Sequence, residues 1–153
     1  MRRTLIGLAA AGLLAAAAHA ATVDGLADQI YKVAQTKPVN TSIPDWNGKA
    51  VVFAGKLWIA PDETTAPMVT IPAAGGSFVQ VVCAAPLADP PKGLKQDDPV
   101  QISGTISDVD RRDANLKGTA GFLVLALSGG MALFSGPAVV VELDHCALAA
   151  KGA

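Results

Sequence analysis

Two strand-patterned segments of this chain each place a glycine where a large apolar side chain is due. Over Lys49 to Ala60, Val51, Phe53, Leu57 and Ile59 share one parity, and Gly55 takes the missing position. The opposite parity carries Val52, Ala54, Lys56 and Trp58. Over Val100 to Val109, Val100, Ile102 and Ile106 share a face, with Gly104 in the gap. A period of two describes a strand half buried against a core. Glycine weakens a strand interior, and inside a strand it commonly marks a tight bend at a barrel corner.

Three more segments read as strands. Met68 to Ile71 is short and is closed by Pro72 and by Gly75-Gly76. Ser77 to Cys83 is dense in β-formers, and the glycine pair predicts a hairpin between these two. Ala138 to Cys146 puts Val139, Val141 and Leu143 on one face. Before them, Val23, Leu26, Ala27, Ile30 and Ala34 form one helical stripe, and Pro38 stops it, which predicts a helix over 23–35. Val39 to Gly48 reads as loop, Pro61 to Thr65 as a turn, and Asp110 to Lys117 as polar and exposed. The proline-rich stretch from Ala84 to Pro99 holds at most a helical turn near Leu94. Five strands, one preceding helix, no βαβ alternation and glycines at would-be corners predict a mainly β fold. The expected architecture is a five-stranded OB-fold-like barrel with an N-terminal helix.

The first twenty residues are read apart from that domain. Met1-Arg2-Arg3 is a positive start, Leu5 to Ala18 is uncharged and rich in Leu and Ala, and Ala18-His19-Ala20 has the small residues of a cleavage site. This predicts a signal peptide over 1–20, cleavage near Ala20, a single domain over 21–153 and a periplasmic or secreted location. The apolar run is short for a membrane anchor. Arg2-Arg3 leaves the general and twin-arginine routes both open. Export implies an oxidising compartment, in which the two cysteines, Cys83 and Cys146, are expected to pair. In an OB barrel they end neighbouring strands, so the pairing tests the topology. Two independent buried thiols are the alternative.

Charge limits the partners. The chain has 12 basic and 13 acidic residues, a formal net charge of −1. That balance argues against a nucleic-acid partner, which demands an excess of Lys and Arg. Gly118 to Val141 carries no charge, but Gly129-Gly130 and Gly136-Pro137 cut it into strand-length pieces rather than a membrane span. Exposed as an apolar hairpin, it would instead mark a contact with a partner or a lipid.

No motif announces an enzyme or a cofactor. Asp144-His145-Cys146 holds the last histidine, but adjacent strand residues point to opposite faces and do not converge as a triad. Zinc would need more ligands than one histidine and two paired cysteines supply. Asp108, Asp110, Asp113 and Asn115 invite a calcium reading, but Arg111-Arg112 interrupts them and the EF-hand glycine and glutamate are missing. Gly75-Gly76 is not followed by the Lys of a phosphate loop. Trp46, Trp58 and Phe78 are the aromatics suited to stacking a ligand. Trp58, on the more polar face of the first strand, is the leading candidate, and recognition is expected on the barrel face of the second and third strands, with Trp58 and Phe78.

One resemblance can be placed on these residues. Gly48-Lys49 followed by Val51, Phe53 and Gly55, the Val81-Val82-Cys83 strand, Asp98 with Val100 to Gly104, and Leu143-Asp144-His145-Cys146 carry it. Over Gly48 to Cys146 the chain resembles the bacterial tRNA-anticodon-like OB-fold family. It departs at Asp97-Asp98, where the family often has Lys-Gly, and in the apolar insert before the last strand, which leaves the register of the last two strands open. The resemblance implies a small exported protein; it does not imply tRNA binding. The expected function is an exported, non-enzymatic binding module for a small molecule, glycan or protein, recognised near Trp58 and Phe78. The alternative is an envelope interaction or stress protein that docks through residues 121–134 onto a membrane protein or lipid.

Overall fold

The computed structural model describes residues 25–112 and 138–152. The expected signal peptide over 1–20 and the apolar docking segment 121–134 lie outside the described residues, as do Asp113 and Asn115. In chain order the elements are α1 (Leu26–Gln35), β1 (Thr41–Ser42), β2 (Ala50–Ile59), β3 (Met68–Pro72), β4 (Phe78–Cys83), β5 (Pro99–Arg112) and β6 (Ala138–Ala150). Short 3-10 turns cover Pro44–Trp46 and Ala74–Gly76.

Five strands close into a barrel of the expected OB-like order. β2, β3 and β4 form an antiparallel meander. β6 then runs parallel to β4, with Cys83 opposite Leu143. β5 lies between β6 and β2, antiparallel to both, and so completes the circuit. The inward parity is the one read from the pattern: Phe53, Leu57, Val69, Val81, Ile102 and Leu143 have no exposed surface. Burial of these side chains, each worth about 1.5–3 kcal/mol, drives the closure.

The two strand glycines stand where backbones cross. A Cβ on Gly55 would lie 2.3 Å from the Thr70 carbonyl oxygen and 2.5 Å from Ile71 Cδ1. A Cβ on Gly104 would lie 2.7 Å from the Asp144 carbonyl oxygen. Gly104 also sits at a register shift, where His145 and Cys146 of β6 bulge opposite a single residue of β5. The hairpin predicted at Gly75-Gly76 is present, both residues having positive φ (74° and 76°).

α1 packs against both β4 and β5, which are not neighbours in the barrel, so the helix lies across one end of it. Ala27, Ile30 and Ala34 face inward and join the same core as the strands. The Ser77 hydroxyl donates to the Tyr31 hydroxyl at 2.9 Å. Arg111 Nη1 donates to the Gln35 carbonyl oxygen at 3.1 Å and also to that of Lys37. These contacts tie the helix to β4's start and to β5's far end.

Several expectations are corrected. Residues 39–48 are not wholly loop: Thr41–Ser42 pair with Asp110 and Arg111 as a sixth strand. Ile43 and Trp46 there are buried core residues, so Trp46 is not a stacking platform. Asp110, Arg111 and Arg112 are half-buried strand residues rather than exposed loop, because β1 and β6 flank them. The limit set on the proline-rich stretch holds: residues 84–98 run as turns and irregular chain, without a helix. β6 continues four residues past Cys146, to Ala150, so His145 lies within the strand.

Candidate functional site

An open groove of about 580 Å³ crosses the outer face of β2, β3 and β4. Strand parity sets its lining. With Phe53 and Leu57 inward, Ala54, Lys56 and Trp58 turn outward from β2. With Val69 and Ile71 inward, Thr70 and Pro72 turn outward from β3. Phe78 starts β4 directly opposite Pro72. Trp58 has a special cause: Leu57 pairs with Val69 and Ile59 with Met68, so Trp58 is the extra residue of a bulge. Bulges of this kind re-aim a side chain. Trp58 and Phe78, the two aromatics named from the sequence as ligand contacts, are both half-buried and both line this groove.

Two lysines in the groove were not singled out from the sequence. Lys56 pairs with Thr70 on one side and with Pro99 on the other. Lys151 follows β6, and its backbone N–H donates to the Pro99 carbonyl oxygen at 2.9 Å. Both lysines are exposed, and among the described residues no carboxylate lines the groove. The signal for Lys56 was present, since it shares Trp58's parity. Lys151 is distant in sequence and arrives only through barrel closure.

Cys83 and Cys146 form a disulfide, with Cα atoms 5.8 Å apart. This is a pairing that adjacent β4 and β6 make possible. It points to a non-cytoplasmic, oxidising compartment. A smaller hollow of about 240 Å³ lies against it, bounded by 83–88 and 143–146. His145 is exposed there, with φ of 53°. The bulge at His145 and Cys146 breaks simple alternation, and Asp144 and His145 are both exposed. Among the described residues, no three His, Cys, Asp or Glu side chains gather as a metal site. Of the acidic stretch, Asp108 accepts from the Ser42 hydroxyl at 2.5 Å, and Asp110 pairs with Arg112 at 2.6 Å.

Asp62, in the β2–β3 connection, is the one carboxyl clearly displaced in acidity among the described residues. The Thr64 backbone N–H is the main cause, with the Thr65 and Thr64 side chains adding to it, and together they hold the carboxyl below the usual carboxylate range. The hydrogen bonds from the Thr64 and Thr65 N–H groups, 2.8 and 2.7 Å, make this a turn-fixing residue.

The chain is thus a disulfide-closed, OB-fold-like β-barrel. No protein-family model and no curated protein matches its sequence. Among solved structures it is similar to an OBody, NL8, bound to hen egg-white lysozyme. That match has 21% identity and a TM-score of 0.30, and covers 68% of this chain and 97% of the other. A likeness so slight carries no ligand or chemistry across. No helix among the described residues is long and apolar enough to cross a membrane.

Proposed function

We propose that this chain is an exported, non-enzymatic binding module that takes its ligand in the groove across β2, β3 and β4. The observation that carries the proposal is the meeting of Trp58 and Phe78, from separate strands, in one open groove. Two half-buried aromatic rings on a rigid barrel supply flat apolar area at low entropic cost, and the lysines and Thr70 supply polar orientation. The meander face is also where OB barrels commonly receive oligonucleotides and oligosaccharides, and this chain's charge balance disfavours the former. The disulfide supports the exported setting, which in turn accords with the family resemblance over Gly48 to Cys146.

The test is a screen of small molecules, glycans and peptides by thermal shift, followed by titration of each hit. A ligand present at about 100 times its Kd stabilises the protein by about 2.7 kcal/mol, a readily measured shift. Trp58→Ala and Phe78→Ala are expected to abolish the shift while the unliganded protein keeps its fold. Hits that bind both variants as tightly as the parent overturn the reading, and so does a screen with no hit.

A further inference from the structure

We propose that the groove's ligand is an acidic oligosaccharide, bearing carboxylate or sulfate groups; this rests on the binding-module reading above. Charge is the first argument. The chain as a whole has more acidic than basic residues, yet among the described residues the groove is lined by two lysines and no carboxylate. Neither lysine has a salt-bridge partner among the described residues. A groove of one sign, set against the overall balance, selects an anion.

Placement is the second argument. Lys56 is the register partner of Pro99, and Lys151 is hydrogen-bonded to Pro99 from the other side. The two lysines therefore flank one strand, with Cα atoms roughly 10 Å apart, two strand spacings. Two separated cations suit a ligand with repeated anionic groups better than one with a single charge.

The third argument separates a glycan from an acidic peptide. An extended peptide gains affinity by adding to a free strand edge. Only part-edges remain here: β2 pairs with β5 over 50–56 and with β3 at 56, 57 and 59, β3 with β4 over 68–72, and β4 with β6 over 80–83. Recognition in the groove rests chiefly on side chains of the sheet face, Trp58, Thr70 and Phe78 among them. A sugar ring offers an apolar C–H face to Trp58 or Phe78 and a rim of hydroxyls to polar neighbours. The Thr70 hydroxyl donates to the Lys56 carbonyl oxygen at 3.3 Å and keeps its lone pairs for such a rim.

Isothermal titration of the full chain with three probes tests this. They are a hexamer of α-1,4-linked galacturonic acid, a neutral hexamer of α-1,4-linked glucose, and hexaglutamate. The acidic sugar should bind about tenfold or more tighter than the neutral one, and its advantage should shrink between about 50 and about 300 mM salt. Lys56→Gln and Lys151→Gln should each weaken the acidic sugar severalfold without changing affinity for the neutral one. Trp58→Ala should weaken both sugars. Equal affinity for the two sugars, still dependent on Trp58, overturns the acidic ligand and leaves the groove reading standing. Hexaglutamate binding as tightly as the acidic sugar overturns the glycan in favour of a peptide. Binding of none of the three overturns this inference, while the groove reading is decided by the wider screen.

Discussion

Replacing both half-cystines, Cys83→Ala with Cys146→Ala, isolates what the disulfide contributes. The bridge joins residues separated by 63 positions. In the chain-entropy treatment a closed loop of that length constrains the unfolded state by about 4 kcal/mol at 25 °C. Cys83 is 5% exposed, so its truncation adds a small packing loss in the same direction. For a domain of this size the total lowers Tm by roughly 12–20 °C. Urea unfolding followed by circular dichroism gives the stability, and the slope of the transition reports the cause. Release of the constraint expands the unfolded chain, so the slope should rise while the native near-ultraviolet spectrum is retained. A stability loss below about 1 kcal/mol with a native spectrum would refute the entropic argument, since a loop this long must otherwise count. A large loss with the slope unchanged would place the effect in the native barrel instead.

Three further outcomes are expected. Gly55→Ala should cost about 3 kcal/mol or more, because its Cβ meets the Thr70 backbone oxygen, which cannot swing aside, and calorimetry should show the loss. Arg111→Met removes the donors to Gln35 and Lys37 and should cost about 2 kcal/mol, with hydrogen exchange quickening first in α1; unchanged α1 protection would contradict its anchoring role. The Asp62 side-chain carboxyl should titrate in an NMR series below the usual value of about 3.9. Its folded pKa is depressed, so its contribution to stability is present above the unfolded value and is lost as pH falls through the folded one. A midpoint at or above the usual value would show that the Thr64 and Thr65 hydrogen bonds are not kept in solution.

The barrel was legible because its inward face is almost purely apolar and its two crossing points must be glycine. Gly55 and Gly104 stood out in the sequence as corner glycines, and Cys83 and Cys146 as ends of two strands that an OB barrel makes neighbours. What escaped was set by pairing rather than by hydrophobicity. Thr41–Ser42 is too short and polar to show a period, and is a strand only because β5 offers it hydrogen bonds. Asp110 to Arg112 read as solvent-facing loop, yet strands on both sides draw them into the sheet. Trp46 and Trp58 look alike in sequence; a 3-10 turn buries the first, and a bulge turns out the second. Of the groove, Trp58 was visible on the more polar face of its strand, and Phe78 as an aromatic suited to stacking. Lys151 was not, because no local pattern links a residue after the last strand to the middle of β2.

The order in which strands meet also decides when the chain is vulnerable. The β2–β3–β4 meander is complete once residue 83 is available, but β4's second partner, β6, begins only at residue 138. Until then β4 presents a row of unpaired N–H and C=O groups beside Val79, Val81 and Val82, and β5 lacks its long partner as well. An open, valine-rich strand is a template for intermolecular pairing. A chain ending short of residue 138 would therefore be driven toward aggregation rather than toward a smaller folded form, and the final strand acts as the barrel's own guard against self-association.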